Sequence, residues 1–339
     1  MKAVGYRFPS PITAADSLVD IDIPQPEARG RDLLVEVKAV SVNPVDYKVR
    51  RSTAPTDTEW KVLGWDAAGI VRAVGEDAKL FRPGDAVFYA GTIGRPGTNA
   101  QLHLVDERIV GNKPKSLDWA ASAALPLTAI TAWEGLFDRL DVRREVPGAE
   151  PSILIVGAGG GVGSIAVQLA RQLTPLRVIG TASRAETQDW VKQLGAHDVI
   201  DHSASLVSGM KALGLGAPAF VYSTTHTEQH FGDIAELIAP QGRIVLIDEL
   251  QNFDFMALKR KSVSLHHELM FTRSIFGTPD MNEQGNLLNK VADLVDRQVI
   301  KTTLTENRGR ITAENLKRAH QTLESGQARG KIVFEGFAD

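Results

Sequence analysis

The chain has 339 residues, which is too long for one ordinary hydrophobic core and predicts two domains. Its hydrophobic content of 43% and charged content of 23% are typical of a globular protein, and its net charge of −3 gives no electrostatic reason to expect a nucleic-acid or membrane partner. Cysteine is absent, which excludes disulfides, thiolate metal ligands and a cysteine nucleophile. Because we find neither a membrane-spanning apolar run nor a signal peptide, we expect a cytoplasmic protein.

The first third of the chain is predicted to form short strands and turns of a mostly antiparallel β body. Apolar and polar residues alternate over Asp32 to Asn43, Ala67 to Gly75 and Gly84 to Ala90, as they do in half-buried strands. The segment RPGD, Arg82 to Asp85, is typical of a turn. A short apolar strand at Lys331 to Gly336 is predicted to rejoin this body.

Near Ser122 the chain becomes rich in helix signals, and from Pro151 strands and helices alternate. This alternation predicts a parallel sheet with right-handed crossovers. The tail from Asn282 to His320 is predicted to be helical. The strands predicted for this part are Ile153–Val156, Arg177–Thr181, Asp198–Ile200, Phe220–Ser223, Arg243–Ile247 and Ser262–His267, with helices such as Val162–Leu173 and Ala185–Leu194 between them. The fold class is therefore α/β, with a domain at residues 126–274 inserted between two parts, 1–125 and 275–339, of the β domain.

The glycine-rich segment GAGGGVG, at positions 157–163, lies between a buried strand and an amphipathic helix, which is the setting of a dinucleotide-binding turn. Its spacing is G-x-x-G-x-x-G, because a valine occupies the last position of the simpler G-x-G-x-x-G form. Glycines let the backbone approach a pyrophosphate, and a helix N-terminus offers free N–H groups to it. We predict that phosphate binding involves Gly157, Gly160, Gly161, Val162 and Gly163. The alternative is a tight turn that binds nothing.

Ser183 and Arg184 indicate which dinucleotide would bind. They lie where an NAD site usually carries a carboxylate, about 20 residues after the glycine turn. Hydroxyl and guanidinium groups bind a 2′-phosphate that a carboxylate would repel, so the sequence favours NADPH. Ser183 also fits a capping box with Glu186, and the alternative for Arg184 is a solvated surface charge.

Several segments together carry a resemblance to a known family: SVNPVDYKVR (41–50), LGWDAAGIVRAVG (63–75), FRPGDAVF (81–88), AALPLTAITAWEGL (123–136) and GAGGGVGSIAVQLAR (157–171). Over almost its whole length, the chain resembles the medium-chain dehydrogenase/reductase superfamily, close to its quinone oxidoreductase (zeta-crystallin-like) branch and to bacterial zinc-type alcohol dehydrogenase-like proteins. The resemblance implies a GroES-like catalytic domain, mostly antiparallel β, and a doubly wound Rossmann cofactor domain. It also implies a homodimer, in which the edge strand at Ser262 to His267 pairs with its twin.

The zinc-containing relatives raise the question of a catalytic metal, which needs about three Cys, His or carboxylate ligands. Those relatives have a cysteine at the position of Asn43 and a histidine at the position of Trp65, and the region Leu125 to Leu127 offers no third ligand. Asp66 alone does not make a site. We therefore expect no metal in this protein.

By position, the resemblance assigns the chemistry to Asn43, Asp46 and Tyr47. Asn43 would donate a hydrogen bond to a substrate carbonyl or to the nicotinamide amide. Tyr47 would donate a proton, although an exposed aromatic beside the site is an equal alternative. Asp46 would hold the loop, since Asn-Pro-x-Asp is also good turn chemistry.

The resemblance places four further residues near the cofactor. Thr128 would lie near the nicotinamide, and Thr225 would flank the cofactor at the carboxyl edge of the sheet. His202 occupies a position where relatives have a tyrosine near the adenosine phosphate, so the pattern is broken there. Lys331 is a candidate ligand for the cofactor's phosphates.

These features predict an NADPH-dependent oxidoreductase that reduces quinones or α,β-unsaturated carbonyls by hydride transfer without zinc. Three alternatives are a zinc-dependent alcohol dehydrogenase, a catalytically silent NADPH-binding protein, and a structural domain whose glycine turn binds no cofactor. The sequence predicts a small-molecule substrate but does not name it, because fold and cofactor do not specify one. Four aromatic residues either line an apolar pocket or belong to the core: Trp60, Trp65, Phe271 and Phe276.

Overall fold

The computed structural model describes residues 1–56 and 59–337, which form two compact units. Unit 1 comprises Met1–Ile130 and Phe271–Asp339, and unit 2 comprises Thr131–Met270. The domain boundaries predicted from the sequence, at 125/126 and 274/275, lie within a few residues of these points. No helix among the described residues is both long enough and apolar enough to cross a membrane.

The strands are numbered in chain order. They are β1 (Lys2–Tyr6), β2 (Val19–Asp22), β3 (Asp32–Ser41), β4 (Lys61–Val62), β5 (Ala67–Val74), β6 (Ala86–Tyr89), β7 (Leu102–Asp106), β8 (Val110–Asn112), β9 (Glu150–Val156), β10 (Arg177–Thr181), β11 (Asp198–Ile200), β12 (Pro218–Ser223), β13 (Arg243–Leu246), β14 (Ser264–His267), β15 (Leu304–Asn307) and β16 (Lys331–Glu335).

The helices are numbered in the same way. They are α1 (Pro44–Ser52), α2 (Trp119–Ala123), α3 (Pro126–Trp133), α4 (Gly161–Leu173), α5 (Ala185–Gln193), α6 (Leu206–Ala212), α7 (Thr227–Leu237), α8 (Thr272–Phe276), α9 (Glu283–Asp296) and α10 (Ala313–Glu324). A π-helical turn, Glu134–Arg139, continues α3, and 3₁₀ turns cover Glu107–Ile109 and Phe255–Lys261.

Unit 1 is built mainly from antiparallel strands. A three-stranded sheet has the order β2-β1-β4, and a larger sheet has the order β15-β16-β3-β5-β6-β8, with β7 also paired to β3. The predicted C-terminal strand does rejoin this body: β16 runs antiparallel to β3, with Val333 opposite Ser41. Continuing that register by two residues brings Lys331 to Asn43, and this pairing positions the polar network described below.

The tail of the chain differs from its prediction. Instead of helix throughout residues 282–320, the structure has α9, then β15, then α10. The segment before and within β15 is rich in threonine, a β-branched residue that favours strands. Because β15 pairs in parallel with β16, a tertiary contact decides the conformation there.

Unit 2 is a doubly wound α/β domain. Its six strands are all parallel, in the order β11-β10-β9-β12-β13-β14, so the chain reverses its direction of winding at β9. The residues of β12 are buried throughout, as expected for a strand covered on both faces. This arrangement confirms the predicted Rossmann sheet. The last strand, β14, lies at the edge as predicted, and its pairing with a second copy stays a prediction.

Candidate functional site

The glycine turn joins the carboxyl end of β9 to α4. The helix begins at Gly161, and its N-cap residue Gly160 has an extended backbone and no capping side chain. The first N–H groups of a helix have no intrahelical acceptor. Those of Gly161, Val162 and Gly163 are therefore available to an anion, which the helix dipole also favours. The geometry fits the phosphate-binding role predicted for this turn.

The fold requires glycine at two positions of the turn but not at a third. A Cβ at Gly157, where φ is +76°, would lie 2.5 Å from the Thr224 hydroxyl oxygen, and one at Gly163 would lie 2.4 Å from the carbonyl oxygen of Gly157. Both are required by the fold itself. A Cβ at Gly160 would meet only that same carbonyl oxygen, at 3.5 Å, which is ordinary contact. Nothing among the described residues therefore requires a glycine at position 160, whereas close approach of a phosphate would.

Thr181, the last residue of β10, connects the glycine turn to His202. Its hydroxyl oxygen accepts a hydrogen bond from the Gly157 N–H at 3.0 Å and lies 2.8 Å from His202 Nδ1. Burial lowers the pKa of His202, and the neighbouring His230 lowers it further. Both effects favour the neutral form of His202, which offers a polar contact at this edge of the sheet.

Ser183 and Arg184 follow the carboxyl end of β10. The predicted capping box is wrong, because α5 starts at Ala185 with Arg184 as its N-cap and no side chain caps it. A Ser183–Glu186 box would require the helix to begin one residue earlier. Ser183 is exposed, and the Arg184 side chain is 41% exposed and lies 3.9 Å from Glu186. Both groups at this strand end are thus accessible from solvent.

Thr225 follows β12 and is held by local contacts. Its hydroxyl lies 2.8 Å from Nδ1 of His226, the left-handed N-cap residue of α7. Asp248, after β13, accepts the Thr227 N–H at 2.9 Å and so serves as the acceptor at the start of α7. Because β9, β10 and β12 are parallel, Thr225 lies at the same carboxyl edge of the sheet as the glycine turn and Ser183. Doubly wound domains bind their ligands at this edge.

In unit 1, Asn43 lies at the N-terminus of α1 and is 2% exposed. Its backbone N–H donates to Asp46 Oδ2 at 2.7 Å, so Asp46 does hold this turn. The Asn43 amide also binds residues outside the helix: Nδ2 donates to Asp66 Oδ2 at 2.8 Å, and Oδ1 accepts from Lys331 Nζ. The residue before α1, the residue before β5 and the strand β16 are thus connected through the Asn43 side chain.

Lys331 does not fit its predicted contact with cofactor phosphates. Its ammonium is buried in unit 1 and donates to Asp66 Oδ2 at 2.8 Å, to the Val42 carbonyl oxygen at 2.9 Å and to Asn43 Oδ1. An ammonium has three N–H donors, and these partners take all three. We correct this assignment: Lys331 neutralises Asp66 and binds Asn43. No local pattern could have indicated these contacts, since the partners lie 265 and 288 residues away along the chain.

The two carboxyl groups of the network are fully buried. Burial raises the pKa of Asp66, and this is opposed by Lys331, by the Leu127 N–H that donates to Oδ1 at 2.7 Å and by Asn43. Burial raises the pKa of Asp46 to about 7. The Asn43 N–H and Lys331 oppose that rise, whereas the neighbouring Asp66 charge adds to it. Oδ1 of Asp46 has no hydrogen-bond partner among the described residues.

Two other predicted residues lie on helices of unit 1. Tyr47 is half-buried on α1, next to Asp46. Thr128 is buried on α3, where its hydroxyl donates to the Leu125 carbonyl oxygen at 3.1 Å. The adjacent Leu127 binds Asp66 through its backbone, so α3 is tied to the same network.

The residues present do not fit a catalytic zinc. Trp65, at the position of the histidine ligand, is buried, and its indole N–H donates to the Thr92 carbonyl oxygen at 3.3 Å. Both oxygens of Asp66 are already bound to N–H donors, and the cation beside it is the Lys331 ammonium. Over residues 1–56 and 59–337, no group of three or more His, Cys, Asp or Glu side chains is arranged to hold a metal ion.

The four aromatic residues singled out in the sequence do not line one pocket. Trp65 and Phe271 are buried and pack edge to face, with ring centroids 6.2 Å apart. Trp60 lies beneath the Arg7 guanidinium, and Phe276 is 76% exposed. The first two are core residues of unit 1, and none of the contacts made by the four identifies a substrate.

Comparison with known proteins agrees with this architecture. A family model described as an alcohol dehydrogenase GroES-like domain matches residues 29–115, and one described as a zinc-binding dehydrogenase matches residues 161–292. A zinc-type alcohol dehydrogenase-like protein of Staphylococcus aureus is 38% identical, covering 98% of this chain and 99% of that protein. Human quinone oxidoreductase is 36% identical over 53% of this chain and 53% of its own length. A crystal structure of a putative zinc-dependent alcohol dehydrogenase from Rhizobium etli is 69% identical, has a TM-score of 0.98, and covers 100% of this chain and 99% of that one.

Proposed function

The chain belongs to the medium-chain dehydrogenase/reductase superfamily, and from this premise we propose that it is an NADPH-dependent reductase of quinones or α,β-unsaturated carbonyls that works without zinc. It is an oxidoreductase of that superfamily, whose members bind a nicotinamide cofactor. The proposal concerns the choice of cofactor, the substrate class and the absence of a metal.

The preference for NADPH rests on the carboxyl end of β10. Ser183 and Arg184 offer accessible hydroxyl and guanidinium donors there, and neither is a carboxylate that would repel a 2′-phosphate. The pyrophosphate would bind the N–H groups of Gly161, Val162 and Gly163, with Gly160 leaving room for it. His202 and Thr225 would contact the cofactor along the same edge, and Thr128 would contact its nicotinamide.

The observation that carries the zinc-free chemistry is the contact of Lys331 with both Asn43 and Asp66. When bound, the reduced nicotinamide supplies the hydride. Negative charge then develops on the substrate oxygen and needs a hydrogen-bond donor. We assign this role to Asn43, held by Asp46, and we assign delivery of the proton to Tyr47.

A zinc-dependent alcohol dehydrogenase is the second candidate, because the names of the Staphylococcus and Rhizobium relatives refer to zinc. Against it stand Asn43 and Trp65, which occupy two of the ligand positions of such a site, and Asp66, whose two oxygens already accept hydrogen bonds from N–H donors.

The test is an NADPH-oxidation screen of the purified protein over quinones, enones and aldehydes, with and without a chelator, together with metal analysis. We expect turnover of quinones or enones that the chelator does not change. Stoichiometric zinc with chelator-sensitive alcohol or aldehyde turnover would establish the second candidate instead. Tight NADPH binding without turnover of any substrate would indicate a silent binding protein, and absence of NADPH binding would show that the glycine turn is only structural.

A further inference from the structure

We propose that Lys331 is a positioning residue for Asn43: its ammonium fixes which end of the Asn43 amide faces a substrate and strengthens that end as a hydrogen-bond donor. This inference rests on the proposed function, because it assumes that Asn43 contacts the substrate oxygen. It assigns to the lysine the electrostatic role that a metal ion would have at this place in a zinc enzyme.

The orientation of the Asn43 amide follows from its two charged neighbours. Its Oδ1 faces the Lys331 ammonium and its Nδ2 faces the Asp66 carboxylate. A flipped amide would point N–H donors at an ammonium and an oxygen at a carboxylate, so both contacts would become repulsive. The surrounding charges therefore determine an assignment that for many asparagines stays ambiguous.

One donor of the Asn43 amide is left over. Nδ2 carries two N–H bonds, and the only acceptor it meets among the described residues is Asp66. Asn43 is 2% exposed, so leaving this second N–H without an acceptor costs about 1–3 kcal/mol. An acceptor supplied by a ligand, such as a carbonyl oxygen, would remove that cost. The network consequently favours ligands that accept a hydrogen bond at this point over ligands that donate one.

The ammonium also changes the strength of that donor. The Lys331 ammonium lies beside the amide oxygen of Asn43. Its positive charge draws electron density from the amide nitrogen and makes the N–H bonds more acidic. Lys331 is 3% exposed, so water screens this effect little. Hydrogen bonds in such a chain polarise and strengthen one another. A developing negative charge on a substrate oxygen would gain more from this polarised donor than would a neutral carbonyl, so kcat should depend on Lys331 more than KM does.

Lysine suits this place better than arginine. Its three donors radiate from one atom, and the Val42, Asn43 and Asp66 oxygens converge on that atom. An arginine fork is planar and presents its donors over a wider front. The register of β16 against β3 places the Lys331 backbone beside Asn43, so the ammonium reaches all three acceptors from within unit 1.

A double-mutant cycle tests whether Lys331 acts through Asn43. Turnover of benzoquinone and cyclohexenone with NADPH is measured for the wild type, Lys331→Met, Asn43→Ala and the double variant. We expect Lys331→Met to lower kcat about tenfold in the wild-type background, a smaller loss than removal of an oxyanion donor itself causes, because Asn43 stays but loses the charge that orients and polarises it. In the Asn43→Ala background it should change kcat less than about twofold, because the group it acts on is gone. An equal loss in both backgrounds would overturn the inference.

Folding must be controlled, since Lys331→Met leaves the Asp66 carboxylate buried without a counter-charge. The charge-neutral pair Asp66→Asn with Lys331→Met removes that problem, and the same dependence on Asn43 is expected for it. Lys261→Met is the matched control: Lys261 also donates to three oxygens, the carbonyls of Ala235, Glu236 and Ile238, but in unit 2. It should leave kcat unchanged.

The outcomes separate this inference from the proposed function. NADPH affinity, followed by quenching of protein fluorescence, should be the same in Lys331→Met as in the wild type. If no substrate turns over, or if Asn43→Ala leaves kcat unchanged, the proposed function fails and the inference falls with it. If Asn43→Ala lowers kcat but the effect of Lys331→Met is additive with it, the inference alone fails.

Discussion

Asp66 and Lys331 form a buried ion pair, with Oδ2 and Nζ 2.8 Å apart and side chains that are 0% and 3% exposed. Removing one partner of such a pair costs about 3–5 kcal/mol, because the other charge stays buried without compensation. Removing both partners together costs much less. The pair thus joins the C-terminal strand to the residue preceding β5.

The first prediction concerns the stability of that pair. Lys331→Met should lower the free energy of unfolding by about 3–5 kcal/mol, whereas combining it with Asp66→Asn should recover a large part of the loss. Urea denaturation followed by circular dichroism measures both. Equal destabilisation of the single and double variants would show that the charge of Asp66 is not what the lysine compensates.

A second prediction separates ligand binding from folding at the glycine turn. Gly160→Ala should keep the free energy of unfolding within about 1 kcal/mol, a typical change at a helix N-cap, because its Cβ meets only ordinary contact distances. It should weaken NADPH binding strongly by filling the space proposed for the phosphate. Gly163→Ala is the matched control and should destabilise the fold, since its Cβ would lie 2.4 Å from a backbone oxygen. Unchanged NADPH affinity in Gly160→Ala would place the phosphates elsewhere.

The third prediction is that Arg184 determines the preference for NADPH over NADH. Arg184→Ala should raise the Kd for NADPH about tenfold, the loss of one charge-assisted hydrogen bond, and leave the Kd for NADH nearly unchanged. Arg177→Ala, at the opposite end of β10 and paired with Asp198, is the control and should affect neither cofactor. Isothermal titration calorimetry gives both constants. Comparable losses for NADPH and NADH would refute the 2′-phosphate contact.

The raised pKa of Asp46 predicts how stability changes with pH. In the folded protein the pKa of Asp46 is about 7, against an ordinary value of 3.8, so between these pH values the native state binds a proton that the unfolded chain does not. This contribution to stability therefore falls as pH rises from about 4 to about 7. Asp46→Asn stays neutral and its amide oxygen can still accept the Asn43 N–H, so the variant should lack this decline. Urea midpoints at about pH 5 and pH 8 that change in parallel for both proteins would contradict the assignment.

His320 predicts the opposite pH dependence. It is fully buried, burial lowers its pKa to about 3 from 6.5, and the neighbouring Arg50 adds to the shift. The unfolded chain then binds a proton that the folded chain excludes, so this contribution to stability is present above about pH 6.5 and is lost as pH falls toward 3. His320→Asn keeps an acceptor for Arg50 Nε, which lies 3.3 Å from Nδ1. Its stability should decline less in acid, and an equally steep decline would assign the acid sensitivity to other groups.

The strand at Lys331–Glu335 was predicted from its apolar pattern, and so was its return to the β body. The partners of the Lys331 side chain were not predictable, because nothing local specifies a register with a strand almost 300 residues away. The prediction for Ser183 was wrong on a smaller scale. The capping-box pattern with Glu186 is present in the sequence, but α5 starts one residue later than the pattern indicates.

The sequence alone determined the strand–helix alternation of unit 2, the glycine turn after β9 and the residue types at the end of β10. These features depend on neighbouring residues, since hydrophobic periodicity and glycine conformation act over a few positions. Only the tertiary structure decided that Asn43, Asp66 and Lys331 form one network. Sheet register brings these distant groups together, and the loss of water on burial gives their charges the strength to orient an amide and to shift the pKa of Asp46.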